Sequence, residues 1–498
     1  MNDNIDLPPR RRFRKRWVLW ALLAGWFTVG AWHTFKPMPP GTDLSTPPVV
    51  TAAENVQFLS DLTFADAQGQ LVYEQHIFDA VFEIIDRAET FVVADFFLFN
   101  DLMGAASAVH RPLSRQLADR LIARKKARPE LSVLLITDPI NEVYGGAQSA
   151  LFEELRAAGI NVVVTDLAAL RDSNPFYSSL WRAFGQWWGN SADGGTMPNP
   201  FDTGPSRVTL RSWLALLNFK ANHRKLIVAD RSDATLSALV ASANPHDASS
   251  AHSNVALRIS GAPALRIVES ELAIARFSGW QGHVYASSPP APAVAKSQDT
   301  VSVSFLTEEA IREHVVAALD ATRNGDAVRI AMFYLSDREV VESLLRAADR
   351  GVSVRLILDP NKDAFGRQKD GVPNRPVANE LVTESGGKIA VRWYRTRGEQ
   401  FHTKLALITF ADRLIASLGS ANLTRRNIGN YNLEANLALE TSLNAPLARE
   451  MLDYFDRLWN HDVANGTEFT APFGAYQDKD ATKYWRYRLM EATGVGTF

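Results

Sequence analysis

The sequence predicts an α/β protein made of two similar halves, each a mixed, mostly parallel sheet flanked by helices, behind an N-terminal transmembrane helix. Three observations predict it. The segments "NHRKLIVADRSDATLSALVASAN" (222–244) and "FHTKLALITFADRLIASLGSAN" (401–422) share one plan, in which His-x-Lys opens an apolar strand-like run and Ser-Ala-Asn closes the segment. "LSVLLITDPIN" (131–141) and "VSVRLILDPNK" (352–362) are near copies that both run into Asp-Pro. Strand-like and helix-like stretches also alternate in the same order on both sides of a Pro, Ala and Ser-rich segment, which is the signal of an internal duplication.

The elements follow in order. "PPRRRFRKR" (8–16) is a basic run, and "WVLWALLAGWFTVGAWHTF" (17–35) follows with 19 positions free of charge, close to the roughly 20 residues that cross a bilayer. By the positive-inside rule the basic end stays cytoplasmic and the remainder is exported. This predicts a single-pass inner-membrane anchor with a periplasmic body. The rival is a cleaved signal peptide, for which Val29-Gly30-Ala31 is a tolerable site. The length of the apolar run and its aromatic far end favour the anchor. "KPMPPGTDLSTPP" (36–48) reads as a stiff spacer.

The expected division is residues 1–48 as basic stub, anchor and spacer, 49–283 as a first domain, 284–300 as a linker, and 301–498 as a second domain. In the first domain, an amphipathic stretch (75–89), a buried aromatic strand "TFVVADFFLFND" (90–101) and a second helix (113–128) precede the Asp-Pro strand. In the second, 308–323, "AVRIAMFYLSD" (327–337) and 338–351 repeat them. The halves differ after Asp-Pro: Asp138 to His223 is 85 residues, whereas Asp359 to His402 is 43. The surplus holds "NPFYSSLWRAFGQWWGN" (174–190), for which two readings stand: a helical hairpin packed on the first half, or a membrane-facing flap.

Composition narrows the chemistry. The chain has 498 residues and no cysteine, which excludes disulfides and thiolate metal sites. Residues 1–16 hold six bases and two acids, so with a whole-chain charge of −2 the remainder carries −6. A body of that sign is not expected to bind nucleic acid strongly. His246 and His252 lie near the first motif without counterparts in the second half, and read as solvated or supporting residues. Arg207, Arg211, Lys220 and Arg224 read as a solvated basic approach to His223 that also suits an anionic head group. Near the C-terminal end, "KYWRYRL" (483–489) reads as peripheral packing on a membrane or a domain.

Two His-x-Lys units suit a phosphodiester. In-line displacement wants a basic imidazole on one side of phosphorus and an acidic imidazolium on the other. Lys225, Lys404, Asn244, Asn422, Ser242 and Ser420 are candidates to hold the phosphoryl oxygens. Alternation along a strand sets His223 with Lys225, and His402 with Lys404, on shared faces. Folding the halves about an approximate two-fold axis would make each copy half of one active site.

These residues resemble the phospholipase D superfamily, whose signature is H-x-K-x4-D followed by a Gly-Ser-x-Asn-like segment. His223, Lys225 and Asp230 match it, with Ala241-Ser242-Ala243-Asn244 a near match. His402, Lys404 and Gly419-Ser420-Ala421-Asn422 match in the second copy, but Thr409 stands where the aspartate is expected, and Asp412 is the nearest substitute. Phe96, Phe97, Phe99 and Asp101, with "SANLTRRNIGNYNLEANL" and its Asn432-x-Glu434 pair, look most like bacterial cardiolipin synthases and related phosphatidyltransferases; Asn254 occupies the place of Glu434 in the first half.

The resemblance implies two phospholipase D-like domains and a two-step reaction through a phosphohistidine, with no cofactor or metal. It implies that His223 attacks phosphorus and His402 protonates the leaving alcohol, or the reverse, that Glu434 holds one imidazole in its useful tautomer, and that Asp230 is structural. The expected partners are a phospholipid substrate, the membrane, and water or a lipid alcohol as acceptor. An exported nuclease of the same superfamily and a catalytically idle lipid-binding scaffold are the alternatives.

Overall fold

The computed structural model describes residues 12–105, 109–284, 299–462, 466–496 and 498; the basic residues before Arg12 and most of the expected linker, 285–298, lie outside them. The N-terminal apolar run is one helix, α1 (Arg12–Phe35). Its segment Lys15–Phe35 is long and apolar enough to cross a membrane, and only 11% of its most apolar stretch is buried. A core helix of a globular domain would be covered, so a span or a signal remains.

The first half contributes β1 (Val49–Ala52), β2 (Val56–Ala65), β3 (Leu71–Glu74), α2 (Ile77–Arg87), β4 (Phe91–Phe96), α3 (Leu113–Ala127), β5 (Ser132–Thr137), α4 (Ala150–Ala157) and β6 (Asn161–Val164). The surplus segment supplies α5 (Pro175–Ala183), the two-residue strands β7 (Met197–Pro198) and β8 (Arg207–Val208), and α6 (Leu210–Leu216). The half closes with β9 (Lys225–Asp230), β10 (Leu236–Ala241), β11 (Asn254–Ser260) and α7 (Leu265–Phe277). The second half runs β12 (Thr300–Thr307), α8 (Glu309–Asp320), β13 (Ala327–Met332), α9 (Arg338–Asp349), β14 (Ser353–Leu358), β15 (Asp363–Ala364), β16 (Arg367–Gln368), α10 (Asn374–Glu384) and β17 (Ile389–Tyr394). It ends with β18 (Lys404–Thr409), β19 (Arg413–Gly419), α11 (Arg425–Ile428), β20 (Ala435–Ser442), α12 (Pro446–Asn460), β21 (Thr470–Pro472) and α13 (Ala481–Thr493).

The duplication is realised strand for strand from β2 and β12 at one side to β6 and β17 at the other. The first sheet has the order β3-β2-β11-β10-β9-β4-β5-β6, and the second β1-β12-β20-β19-β18-β13-β14-β17-β21. The sheets are mixed, as expected, but parallel pairing is narrower than alternating strands and helices suggest. It is confined to β4-β5-β6 and β13-β14-β17, where helices make the crossovers. Tight turns join β9 to β10 and β18 to β19, longer connections lead on to β11 and β20, and β9-β10-β11 and β18-β19-β20 pair antiparallel.

The two sheets stack face to face, and their inner side chains form one core. Phe58, Leu226 and Leu257 of the first half share it with Phe305, Leu407 and Leu437 of the second. The outer face of the first sheet is covered by α2 and α3 through Phe78, Val81, Leu117 and Leu121. The outer face of the second is covered by α8, α9 and α10 through Ile311, Leu344 and Val377. Strands covered on both faces read as near-continuous apolar runs, which is why β4 and β5 show so little polar alternation.

The expected boundary at residue 49 shifts. β1 belongs to the second sheet, pairing antiparallel with β12 from Val49↔Val303 to Ala52↔Thr300. The spacer before it is also tied down, with Leu44 N donating to Thr307 Oγ1 (2.7 Å) and Thr46 N to the Phe305 carbonyl (3.1 Å). An edge strand with unpaired amides accepts such a partner readily. In the first half, the hairpin strand β3 fills that place on β2.

Candidate active site

Each His-x-Lys stands where its strand begins: Lys225 opens β9 and Lys404 opens β18, with the histidine two residues earlier. The backbone beside each histidine pairs with the opposite half. Asn222 bridges Leu433, with His223 N donating to the Leu433 carbonyl (2.8 Å). Ser253 bridges Phe401, with Ser253 N donating to the Gln400 carbonyl (3.1 Å). The residue after each bridge is therefore placed beside the foreign histidine. His223 Nδ1 donates to Glu434 Oε1 at 2.8 Å, and His402 Nδ1 donates to Asn254 Oδ1 at 3.1 Å. Both bonds leave Nε2 as the ring atom free for chemistry.

Both rings line one cavity of about 520 Å³, together with Asn244 and Asn422. The lysines stand just behind it. Lys225 Nζ donates to the His223 carbonyl (2.5 Å) and Lys404 Nζ to the His402 carbonyl (2.9 Å). Phe97 lies 4.8 Å from the His223 ring and 5.1 Å from Lys225 Nζ; Phe333 lies 4.9 Å from the His402 ring and 5.2 Å from Lys404 Nζ. These two rings occupy equivalent places after β4 and β13. Phe97 stood in the quoted aromatic strand, but nothing in the pattern told it from Phe96 or Phe99.

Asp138 and Asp359, the aspartates of the two Asp-Pro pairs, cap turns and do more. Asp138 accepts from Ile140 N (2.8 Å) and from Asn222 N (2.7 Å), while Asp359 accepts from Asn361 N (2.6 Å) and from Phe401 N (2.8 Å). Each carboxylate thus holds the residue that precedes a histidine. Burial pushes Asp138 up to about 7 and Asp359 to about 6.

The electrostatics differ between the two rings. Burial holds His223 down to about 4, against the pull of Glu434 in the other direction. Burial also holds His402 well below the usual histidine range, and Lys404, His252, Lys225 and His223 add to the effect. Burial lowers Lys225 to about 7 and places Lys404 well below its ordinary value. Burial pushes the Glu434 carboxyl up, yet His223 and Lys225 carry it below its ordinary value, so it is ionised. A cavity with this much cationic capacity around it favours the binding of an anion.

Other expected residues fall elsewhere. Ser242 donates to Asn254 Oδ1 (2.9 Å) and Ser420 to Glu434 Oε2; both are fully buried and neither lines the cavity. They fix the groups that orient the histidines, and the expectation of direct substrate contact is corrected accordingly. Asp230 accepts from Glu89 N, Thr90 N and Phe91 N at 2.9 to 3.2 Å, stitching the turn before β4 to the end of β9. Asp412 does not take over that task in the second half, since its carboxylate is mostly exposed and, among the described residues, meets only Arg413 at 3.9 Å.

Arg224 is not part of a solvated approach. It is fully buried and pairs with Glu271 and Glu308, at 2.8 Å each. Glu308 Oε1 also accepts from Glu434 N at 2.9 Å, which ties the two motifs together from below. Lys220 is buried on Asp172 and reaches the cavity wall. His246 is held by the Leu102 carbonyl (2.7 Å) and Ser249 (3.1 Å), while the His252 ring lies 5.9 Å from that of His402. In 483–489, Tyr487 is buried against Glu380 (2.5 Å), which is domain packing, while Trp485 is exposed.

Residues 295–459 match the family model described as cardiolipin synthase, PLD-like domain. Among solved structures, phosphatidylserine synthase from Haemophilus influenzae Rd KW20 matches with a TM-score of 0.53 and 11% identity, over 90% of this chain and 97% of that one. At that identity the likeness is one of fold. The phospholipase D family member Nuc from Salmonella typhimurium matches over 32% of this chain and 95% of its own, with 21% identity and a TM-score of 0.24. No curated protein matches the sequence. Residues 295–459 thus resemble the cardiolipin synthase, PLD-like domain in sequence, the whole chain resembles a phosphatidylserine synthase in fold, and the expected resemblance to the phospholipase D superfamily stands over the matched residues.

Proposed function

We propose that this chain is a membrane-associated phosphodiesterase or phosphatidyltransferase that acts on glycerophospholipids through a phosphohistidine. One observation carries the reading: two histidines from different halves face one cavity, each with Nδ1 held by a residue of the other half. His223 is the nucleophile, because its Nδ1 proton rests on a carboxylate that balances the positive charge of an Nε2-phosphorylated ring. In the first step the His223 Nε2–P bond forms, the bond from phosphorus to the leaving alcohol breaks, and His402 gives its Nε2 proton to that alcohol. In the second step His402 takes the proton of the acceptor hydroxyl, whose oxygen bonds phosphorus as the P–N bond breaks.

Neutral amide Asn254 leaves His402 a stronger acid than a carboxylate would. The bound phosphodiester supplies the negative charge that keeps its ring protonated. Lys225 and Lys404 balance the phosphoryl oxygens from below, and Asn244, whose Oδ1 accepts from Leu98 N (3.2 Å), presents its NH2 group to them. Lys220, Lys369 and Arg426 give the cavity cationic points, and Phe201, Trp213, Leu216, Leu217 and Phe365 give it apolar walls, as a lipid with an anionic head requires.

The test is product analysis with phosphatidylglycerol vesicles and, separately, single-stranded DNA. Cardiolipin and glycerol would mark transfer, phosphatidic acid hydrolysis, and shortened DNA a nuclease. Turnover of neither substrate, with His223→Ala indistinguishable from the parent, overturns the enzymatic reading.

A further inference from the structure

The aromatic surplus of the first half is neither a closed hairpin nor a free flap. α5 lies along the last turns of α1. Gly30 permits the approach, since a Cβ there would sit 2.7 Å from Ser179 Oγ. Trp26 Nε1 donates to the Phe176 carbonyl (3.1 Å), their rings lie 5.7 Å apart, and Asp172 N donates to the His33 carbonyl (2.9 Å). With Ser178, Ser179 and Arg182 turned inward and buried, the other side of α5 and the turn after it carries Phe176, Leu180, Phe184, Trp187 and Trp188 outward. Phe184, Trp187 and Trp188 are 62%, 76% and 52% exposed, too large and too many for a wetted surface.

This shelf continues into the cavity through α6. Arg211 donates to the Trp188 carbonyl (2.6 Å) and Tyr177 to the Leu214 carbonyl (2.6 Å), fixing one side of α6 to the shelf. Trp213 and Leu216 of the same helix and Leu217 just after it line the cavity, and Leu217 is also partly open to the outside. Asp172, at the foot of α1, pairs with the cavity residue Lys220.

The geometry points to an interfacial dock: the α5–α6 shelf lies in the head-group region of the bilayer that α1 enters, and lipid passes over Leu217 into the cavity. The apolar outer surface of α1, its length and its packing on α5 put the shelf at the depth where a spanning helix leaves the hydrocarbon. Indole and phenyl rings beside cationic side chains are the chemistry that settles there. The destination of the lipid rests on the proposed function; the immersion of the shelf does not.

The chain has no cysteine, so one introduced thiol is a unique label site. Full-length protein in phosphatidylglycerol and phosphatidylethanolamine vesicles, nitroxide-labelled at Trp187→Cys or Phe184→Cys, is compared with Asp233→Cys, on the exposed β9–β10 turn at the far end of the motif strand. Dissolved oxygen is expected to relax the first two labels in preference to an aqueous nickel chelate, and the order should reverse at 233. Water-like behaviour at both shelf positions, or lipid-like behaviour at all three, overturns the dock. A second arm uses the double variant Phe184→Ser with Trp187→Ser, whose turnover of vesicle lipid should fall about tenfold while that of a monomeric short-chain lipid stays unchanged. Equal rates on vesicles also overturn it. Immersed labels without turnover of any lipid would remove the proposed function and leave the dock.

Discussion

The two halves present the same histidine on the same strand, yet the ground beneath each differs. Below His223 is a buried ionic network. Asn222 donates to both Asp95 oxygens at 2.7 to 2.9 Å, and Arg224 joins Glu271 and Glu308. Below His402 the equivalent positions are Phe401, stacked on Tyr394 at 4.3 Å, and Thr403. The orienting partner follows the same division, a carboxylate for His223 and an amide for His402. Duplication supplied two copies of one scaffold, and the layer beneath diverged; in the proposed mechanism the carboxylate suits His223 to hold a positive charge and the amide suits His402 to give up a proton.

The largest effect should come from separating those roles. His223→Ala is expected to lower turnover by about four orders of magnitude or more on any substrate, because it removes the nucleophile of the proposed mechanism. His402→Ala should lose about 10²- to 10⁴-fold on a natural lipid but recover much of the first step on a nitrophenyl phosphodiester, whose leaving group needs no proton. A burst of nitrophenolate measures this. Recovery in His223→Ala instead would exchange the two assignments.

The ionic layer offers the next test. Arg224→Ala leaves Glu271 and Glu308 buried without their cation, at a cost of about 3–5 kcal/mol. Thr403→Ala, at the matching place, deletes only contacts to the Ser253 carbonyl (3.4 Å) and Tyr454 (3.2 Å) and should cost about 1 kcal/mol. Urea unfolding of the two variants reads the difference directly, and equal losses would remove the distinction between the layers.

Asn254→Asp converts the second partner into the first. An added carboxylate favours the imidazolium, so the His402 value rises from its depressed position. In the proposed mechanism His402 is protonated when the reaction begins, and the alkaline limb of the pH profile should therefore move upward by about one to three units. An unmoved limb would mean that another group sets it.

Much of this was legible in the sequence because it repeats locally. The matched His-x-Lys, Ser-Ala-Asn and Asp-Pro segments gave the duplication, the motif strands and the convergence of the histidines, since each lies within one strand or turn. What was hidden depends on the two-fold packing. The resemblance implies that Glu434 holds one imidazole, but no spacing indicates that the ring is His223, 211 residues away, or that Ser420 is spent on Glu434. Arg224 reads as a surface base by type, and only its two buried glutamates, one from each half, reveal it as interior. β1 reads as part of the half it precedes; the open edge of β12 captures it.

The smallest effects concern the position where the motifs themselves diverge. Asp230 holds three backbone amides of the turn before β4, so Asp230→Ala strands buried donors and should cost about 1–3 kcal/mol. The matching turn before β13 needs no such clamp, because Asp326 caps it from within: its Oδ2 accepts from Arg323 N (2.7 Å), and its own N donates to the Arg323 carbonyl (3.0 Å). Thr409, facing Ala327 across the ladder, is left with a buried hydroxyl that has no partner among the described residues. Thr409→Val removes that hydroxyl at nearly constant volume and should leave stability unchanged or raise it by up to about 1 kcal/mol, with turnover intact. A loss of stability comparable to that of Asp230→Ala, measured by thermal unfolding, would mean that Thr409 has inherited the structural task of the missing aspartate after all.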